Sequence, residues 1–169
     1  MDTWIAQSVA MIGTPELFWV LSAVLFLLLF VYRIGDAFLF LFALFATTGA
    51  IALLKSIFKV PRPSAGLFDT DSYAFPSAHA GASTFLVVMI TYLFTSRIRS
   101  YPLAIFITVC AVLFGFLVSW SRIALGLHTP LQVAAGIFVG VAVPLLMIYG
   151  YHKLVLRAPP TPRDDRCVH

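Results

Sequence analysis

Five long apolar runs, each closed by an ionisable residue, limit what this sequence can fold into. They cover about residues 17–32, stopping at Arg33, and 37–54, meeting Lys55. A third follows His79 and ends near Arg97, a fourth covers 101–120 before Arg122, and a fifth covers 130–151 before His152 and Lys153. Inside those limits none carries Asp, Glu, Lys or Arg. Crossing the bilayer core takes roughly 20 apolar residues, and only helices or closed barrels satisfy their backbone there. Five such spans would use about 100 of the 169 residues, leaving little for a separate soluble domain. Hydrophobic residues make up 61% and charged residues 11% of the chain, against roughly 45–50% and 25% in soluble domains. A disordered chain, a nucleic-acid-binding domain and an ordinary soluble enzyme are thereby excluded. The expectation is an all-α integral membrane bundle of about five transmembrane helices, forming one domain over residues 1–157.

The flanks differ from the runs. In residues 1–13, Trp4, Ile5, Val9, Met11 and Ile12 share one helical stripe, which predicts a helix lying in the membrane interface. The only early charge is acidic, so the basic start of a cleaved signal peptide is missing. Residues 158–169 are rich in Pro and charge and read as a disordered tail. The net charge of +4 is small and scattered, which argues for local sites and topology and against a nucleic-acid partner. Cys110 and Cys167 are expected to be free thiols, since two cysteines make no disulfide framework.

Basic residues favour the cytoplasm. With five spans, Arg33, Arg97, Arg99, Lys153, Arg157, Arg163 and Arg166 share one side, against Lys55, Lys59, Arg62 and Arg122 on the other. The C-terminus is therefore expected to be cytoplasmic, with the polar loops facing outward.

Chemistry concentrates on that outward side. Lys55 ends the second span and Arg62-Pro63 follows after six residues; Phe75-Pro76-Ser77-Ala78-His79 stands at the mouth of the third. Ser121-Arg122 closes the fourth span, and His128 follows just before the fifth. Three cations, two histidines and two hydroxyls thus converge from three segments. Cations at membrane depth are expensive and mark function; for Lys59, snorkelling to headgroups is the favoured reading. Three cations with hydroxyl and backbone donors suit a phosphate dianion, and a helix opening at Ser77 adds N–H groups. Two histidines can divide the work on one phosphate, as nucleophile and as general acid. A metal site built from Asp69, Asp71, His79 and His128 is the rival, though three cations in the same pocket would oppose a divalent ion.

The sequence resembles the type 2 phosphatidic acid phosphatase superfamily, whose signature is Lys-x6-Arg-Pro, Pro-Ser-Gly-His and Ser-Arg-x5-His-x3-Asp. Lys55, Arg62 and Pro63 match the first part, and Pro76, Ser77 and His79 the second, with Ala78 in place of glycine. Ser121, Arg122 and His128 match the third, with Gln132 where aspartate is usual. The resemblance implies a metal-independent, cofactor-free lipid phosphatase in the bacterial cytoplasmic membrane, with its active site facing outward. His128 would form a phosphohistidine and His79 would protonate the leaving group. Lys55, Arg62, Ser77, the Ala78 backbone, Ser121 and Arg122 would hold the phosphate. Substrates in such compact members include undecaprenyl pyrophosphate, phosphatidylglycerol phosphate and lipid A 1-phosphate. The alternative is a non-catalytic lipid-phosphate binder or transporter, in which nothing is cleaved.

Of the two departures, alanine at 78 keeps the backbone donor. Gln132 matters more, because an aspartate would both orient the imidazole and stabilise its charged form. A glutamine carbonyl can still fix the tautomer. Thr129-Pro130-Leu131-Gln132 also reads as a capping box, so Gln132 has two candidate roles: orienting His128 or capping the fifth helix. Asp69 and Asp71 read as a solvated loop at the site mouth, and Tyr73 and Trp120 as interfacial anchors. No role is expected for His152 or His169, on the opposite side.

Overall fold

A computed structural model describes residues 14–62, 73–95 and 98–157. The interfacial helix expected over 1–13, the loop carrying Pro63, Asp69 and Asp71, and the tail over 158–169 lie outside the described residues. So do Arg97, Cys167 and His169. Five helices follow: α1 (Pro15–Tyr32), α2 (Ile34–Phe58), α3 (Ala78–Thr95), α4 (Tyr101–Ala124) and α5 (Pro130–Arg157). There is no strand among the described residues.

Helices α2, α3, α4 and α5 are long and apolar enough to cross a membrane, and α1 contributes a shorter apolar helix over Glu16–Tyr32. At 1.5 Å per residue, α1 is about 27 Å long, close to the roughly 30 Å hydrocarbon core. Large apolar side chains such as Phe106, Phe116, Leu131 and Phe138 point outward, which suits contact with lipid and not water. The chain is a multi-pass membrane protein.

Phe40, Phe85 and Met89 are fully buried at the centre, with Ala37, Ala43 and Leu86 around them. The Phe40 and Phe85 rings lie 5.4 Å apart in a tilted arrangement. Helix α3 is the hub, packing extensively on α4 and α5, while α1 leans mainly on α2.

Close approach of α3 and α5 depends on glycine. A Cβ on Gly136 would come within 2.3 Å of the Ser77 carbonyl oxygen, and one on Gly140 within 2.4 Å of the Gly81 carbonyl oxygen. Gly136-x3-Gly140 thus works as a small-residue seam between helices. That seam brings the first turn of α5 against the first turn of α3, and Ser77 N–H donates to the Gln132 carbonyl at 3.0 Å.

Candidate active site

The site lies where α2 and α4 end and α3 and α5 begin. At the end of α2, the chain leaves the helix through Lys59, whose φ of 46° is left-handed and whose N–H caps back onto the Lys55 carbonyl. Lys59 is exposed and serves this turn, apart from the cradle. The Lys55 ammonium donates to the Tyr73 carbonyl, tying α2 to the segment before α3. Ala74 N–H donates to Val60 at 2.8 Å, holding the same two segments together. A cis Phe75–Pro76 bond precedes Ser77.

The spacing between Arg122 and His128 has a local cause. Helix α4 is capped at Leu125, and Gly126 follows at a φ of +69°, the left-handed conformation glycine adopts without strain. Gly126 N–H then reaches Ile123 at 3.0 Å, and Leu127 N–H reaches the Arg122 carbonyl at 3.1 Å. This is a Schellman closure. The His128 N–H joins the same Arg122 carbonyl at 3.2 Å, so the backbone of the nucleophile candidate is tied to the end of α4.

One oxygen of Gln132 faces both His128 and Thr129. Its Oε1 accepts from Thr129 N–H at 3.0 Å and lies 3.2 Å from His128 Nδ1, while Thr129 Oγ1 accepts from Gln132 N–H at 3.4 Å. The Thr129 backbone group can only donate, so the amide must present its carbonyl. His128 Nδ1 facing that carbonyl must then carry the proton. The imidazole also hydrogen-bonds with the Ala74 backbone. Burial, followed by the Arg62 charge, pulls the His128 imidazole down from its usual value to about 4, with the Gln132 hydrogen bond opposing them. His128 is therefore neutral at physiological pH.

His79 stands in the first turn of α3, half-buried, within electrostatic reach of Arg122, His128, Arg62 and Lys55. Ser77 is fully buried, and its Oγ has no hydrogen-bond partner among the described residues. The N–H groups of Ala78 and His79 belong to the helix start, where intrahelical acceptors are lacking.

The Ser121 hydroxyl donates to the Val118 carbonyl at 2.8 Å and accepts from Arg122 Nε at 3.3 Å, which links it to the guanidinium. Trp120 packs on Leu125 and Leu127 within this turn. Gly126, Gly136 and Gly140 were passed over in the sequence, although glycine just past a helix end and the Gly-x3-Gly pattern are both legible signals. Among the described residues, no group of three His, Cys, Asp or Glu is arranged to hold a metal ion.

The PAP2 superfamily profile matches residues 36–156, which include every residue of this cluster. The chain belongs to the PAP2 superfamily. Among curated relatives, it is 29% identical over 122 residues to the chloroplastic lipid phosphate phosphatase epsilon 2 of Arabidopsis thaliana, covering 69% of this chain and 42% of that protein. It is 38% identical over 85 residues to the lipid A 4'-phosphatase of Bacteroides thetaiotaomicron, covering 50% of this chain and 34% of that one. The chain thus spans less than half the length of either relative. In fold it resembles the crystal structure of a transmembrane PAP2 type phosphatidylglycerolphosphate phosphatase from Bacillus subtilis, with a TM-score of 0.76. That likeness covers 93% of this chain and 79% of the other at 22% identity. It shows that the PAP2 helical bundle is shared.

Proposed function

We propose that this PAP2 protein is a phosphatase that removes phosphate from a membrane lipid through a phosphohistidine on His128. The observation that carries the reading is the contact between His128 Nδ1 and Gln132 Oε1 at 3.2 Å. With Nδ1 as the donor, Nε2 is the attacking atom, in the field of Arg62 and Lys55. In the first step the Nε2 lone pair bonds to phosphorus as the bond to the lipid oxygen breaks. His79 gives its proton to the departing oxygen. In the second step water attacks the phosphohistidine and returns its proton to His79. Lys55, Arg62, Arg122, the Ser77 hydroxyl and the helix-start N–H groups of Ala78 and His79 hold the equatorial oxygens. Guanidinium forks favour the developing charge over the ground state.

The charge balance supports chemistry that needs no divalent ion, because three cations from two segments already supply the positive charge a metal would bring. The relatives' names cover several headgroups, so the substrate class is a lipid phosphate monoester or diphosphate. Undecaprenyl pyrophosphate, phosphatidylglycerol phosphate and lipid A phosphate are the candidates. The excess of basic residues beyond α1, α3 and α5 supports an active site on the outer face of the bacterial cytoplasmic membrane, with the C-terminus cytoplasmic.

Phosphate release from these lipids by the purified protein in chelator tests the reading. Turnover is expected without added metal, with inhibition by vanadate, which resembles the five-coordinate transition state. Binding of the lipids with no release would instead fit a binder or transporter.

A further inference from the structure

An apolar cavity of about 280 Å³ opens beside Lys55 and His79 and extends between α1, α2, α3 and α4. A second, of about 570 Å³, continues it between α1, α3 and α4. The two share Leu21, Leu86 and Phe114, which form a waist between them. Helix α3 lines both with one face, through His79, Ser83, Leu86, Ile90 and Phe94. From His79 to Phe94 the groove extends about 22 Å at 1.5 Å per residue, most of the roughly 30 Å hydrocarbon core. It exists because α1 leans on α2 and leaves a gap beside α4. Beyond the waist every lining side chain is apolar except Cys110.

The upper end of the groove includes Lys55, Ala78 and His79 of the phosphate site, so whatever fills it is continuous with a phosphate held there. A hydrocarbon chain ester-linked to that phosphate meets the requirement. We propose that the groove takes one hydrocarbon tail of the substrate, and that the Leu21–Leu86–Phe114 waist makes it a gauge of tail length. This rests on the phosphatase reading above. Tails too short to pass the waist fill only the upper cavity. Longer ones also pack against Val24, Ile90 and Phe106 below it. A tail arriving from the bilayer leaves surroundings as apolar as the groove, so the gain comes from packing and is modest: about tenfold in kcat/KM between eight and sixteen carbons.

Cys110 gives a readout independent of catalysis. With Cys167→Ser, Cys110 is the one thiol left in this sequence; it is exposed and should react with an apolar maleimide in mixed micelles. Hexadecylphosphonate, whose carbon–phosphorus bond resists hydrolysis, should slow its labelling at least fivefold. Octylphosphonate and hexadecanol should not. In parallel, hexadecyl phosphate should be hydrolysed about tenfold more efficiently than octyl phosphate at equal surface concentration, and Val24→Trp should reduce that ratio to about two. Protection without phosphate release would uphold the groove and remove the phosphatase reading. Release at equal efficiency for both lengths, without protection, would overturn the groove and leave the phosphatase standing. Equal protection by hexadecanol would also overturn it, showing a groove filled by any bilayer chain.

Discussion

The two ends of the bundle handle charge in opposite ways. At the end holding Arg33 and His152, several charged and polar side chains are paired. Arg33 lies 3.6 Å from Asp36, Tyr92 Oη meets His152 Nε2 at 2.9 Å, and the Lys153 ammonium sits over the Tyr149 ring at 4.6 Å. Asp36, buried in the first turn of α2, also benefits from the helix dipole. At the other end, Lys55, Arg62 and Arg122 gather beside the buried Ser77 hydroxyl, which has no hydrogen-bond partner among the described residues. The difference separates groups that hold the fold from groups arranged for an anion.

Single substitutions at the two ends should break or sharpen this contrast. The largest effect is expected at the histidines. His128→Ala should reduce phosphate release to background, and His79→Ala should lower kcat by about 10²–10⁴-fold, the usual worth of a general acid. His152→Ala should leave kcat within about threefold and lower stability by about 1 kcal/mol, the net value of a typical hydrogen bond. Equal activity losses at His128 and His152 would dissolve the contrast.

Next is the cradle. Arg122→Lys keeps the charge and loses the fork, so kcat/KM should fall about tenfold or more, while Arg33→Lys should do little. Ser121→Ala should show a smaller loss in the same direction, because it releases the Arg122 guanidinium.

The pH profile comes third. His128 titrates at about 4 in the folded protein, against an ordinary value near 6.5. The acid limb of kcat/KM, which reports the free enzyme, should therefore fall well below 6.5. Because the folded state takes up this proton less readily, its contribution to stability is complete above about 6.5 and is lost as pH falls towards 4. Gln132→Asp adds a negative charge beside Nδ1 and should raise the acid limb. An unmoved limb would leave Gln132 as a helix cap alone.

The smallest effect concerns backbone closure. Gly126→Ala forces a Cβ into a left-handed φ at a cost of roughly 1 kcal/mol. It should lower kcat more than its stability loss accounts for, since the turn ties the His128 backbone to the end of α4. Thermal unfolding and kinetics on one preparation would separate the two effects.

Most of the architecture was legible because membrane spans advertise themselves locally. Uninterrupted apolar runs ending at Arg33, Lys55, Arg122 and Lys153 mark helices that end within a few residues of those positions. The site was legible where its spacing is set by local backbone geometry, as with Arg122 and His128. What escaped depends on partners distant in the chain. Nothing near His152 in sequence announces Tyr92, and nothing near Lys55 announces the Tyr73 carbonyl. Ser121 shows a hydroxyl in the right motif, but only the fold reveals that its proton goes to Val118. Gln132 posed a choice between two roles because sequence cannot show that a single carbonyl faces both His128 and Thr129. The tail groove is a gap between helices, and no residue pattern encodes a gap.

The steric course at phosphorus tests the central claim most directly. A lipid phosphate made chiral with oxygen isotopes and sulfur at phosphorus would be hydrolysed by the full-length protein and the configuration of the released phosphate determined. Two successive in-line displacements, through His128 and then water, predict net retention. Net inversion would mean that water attacks phosphorus directly, and would contradict a phosphohistidine at His128.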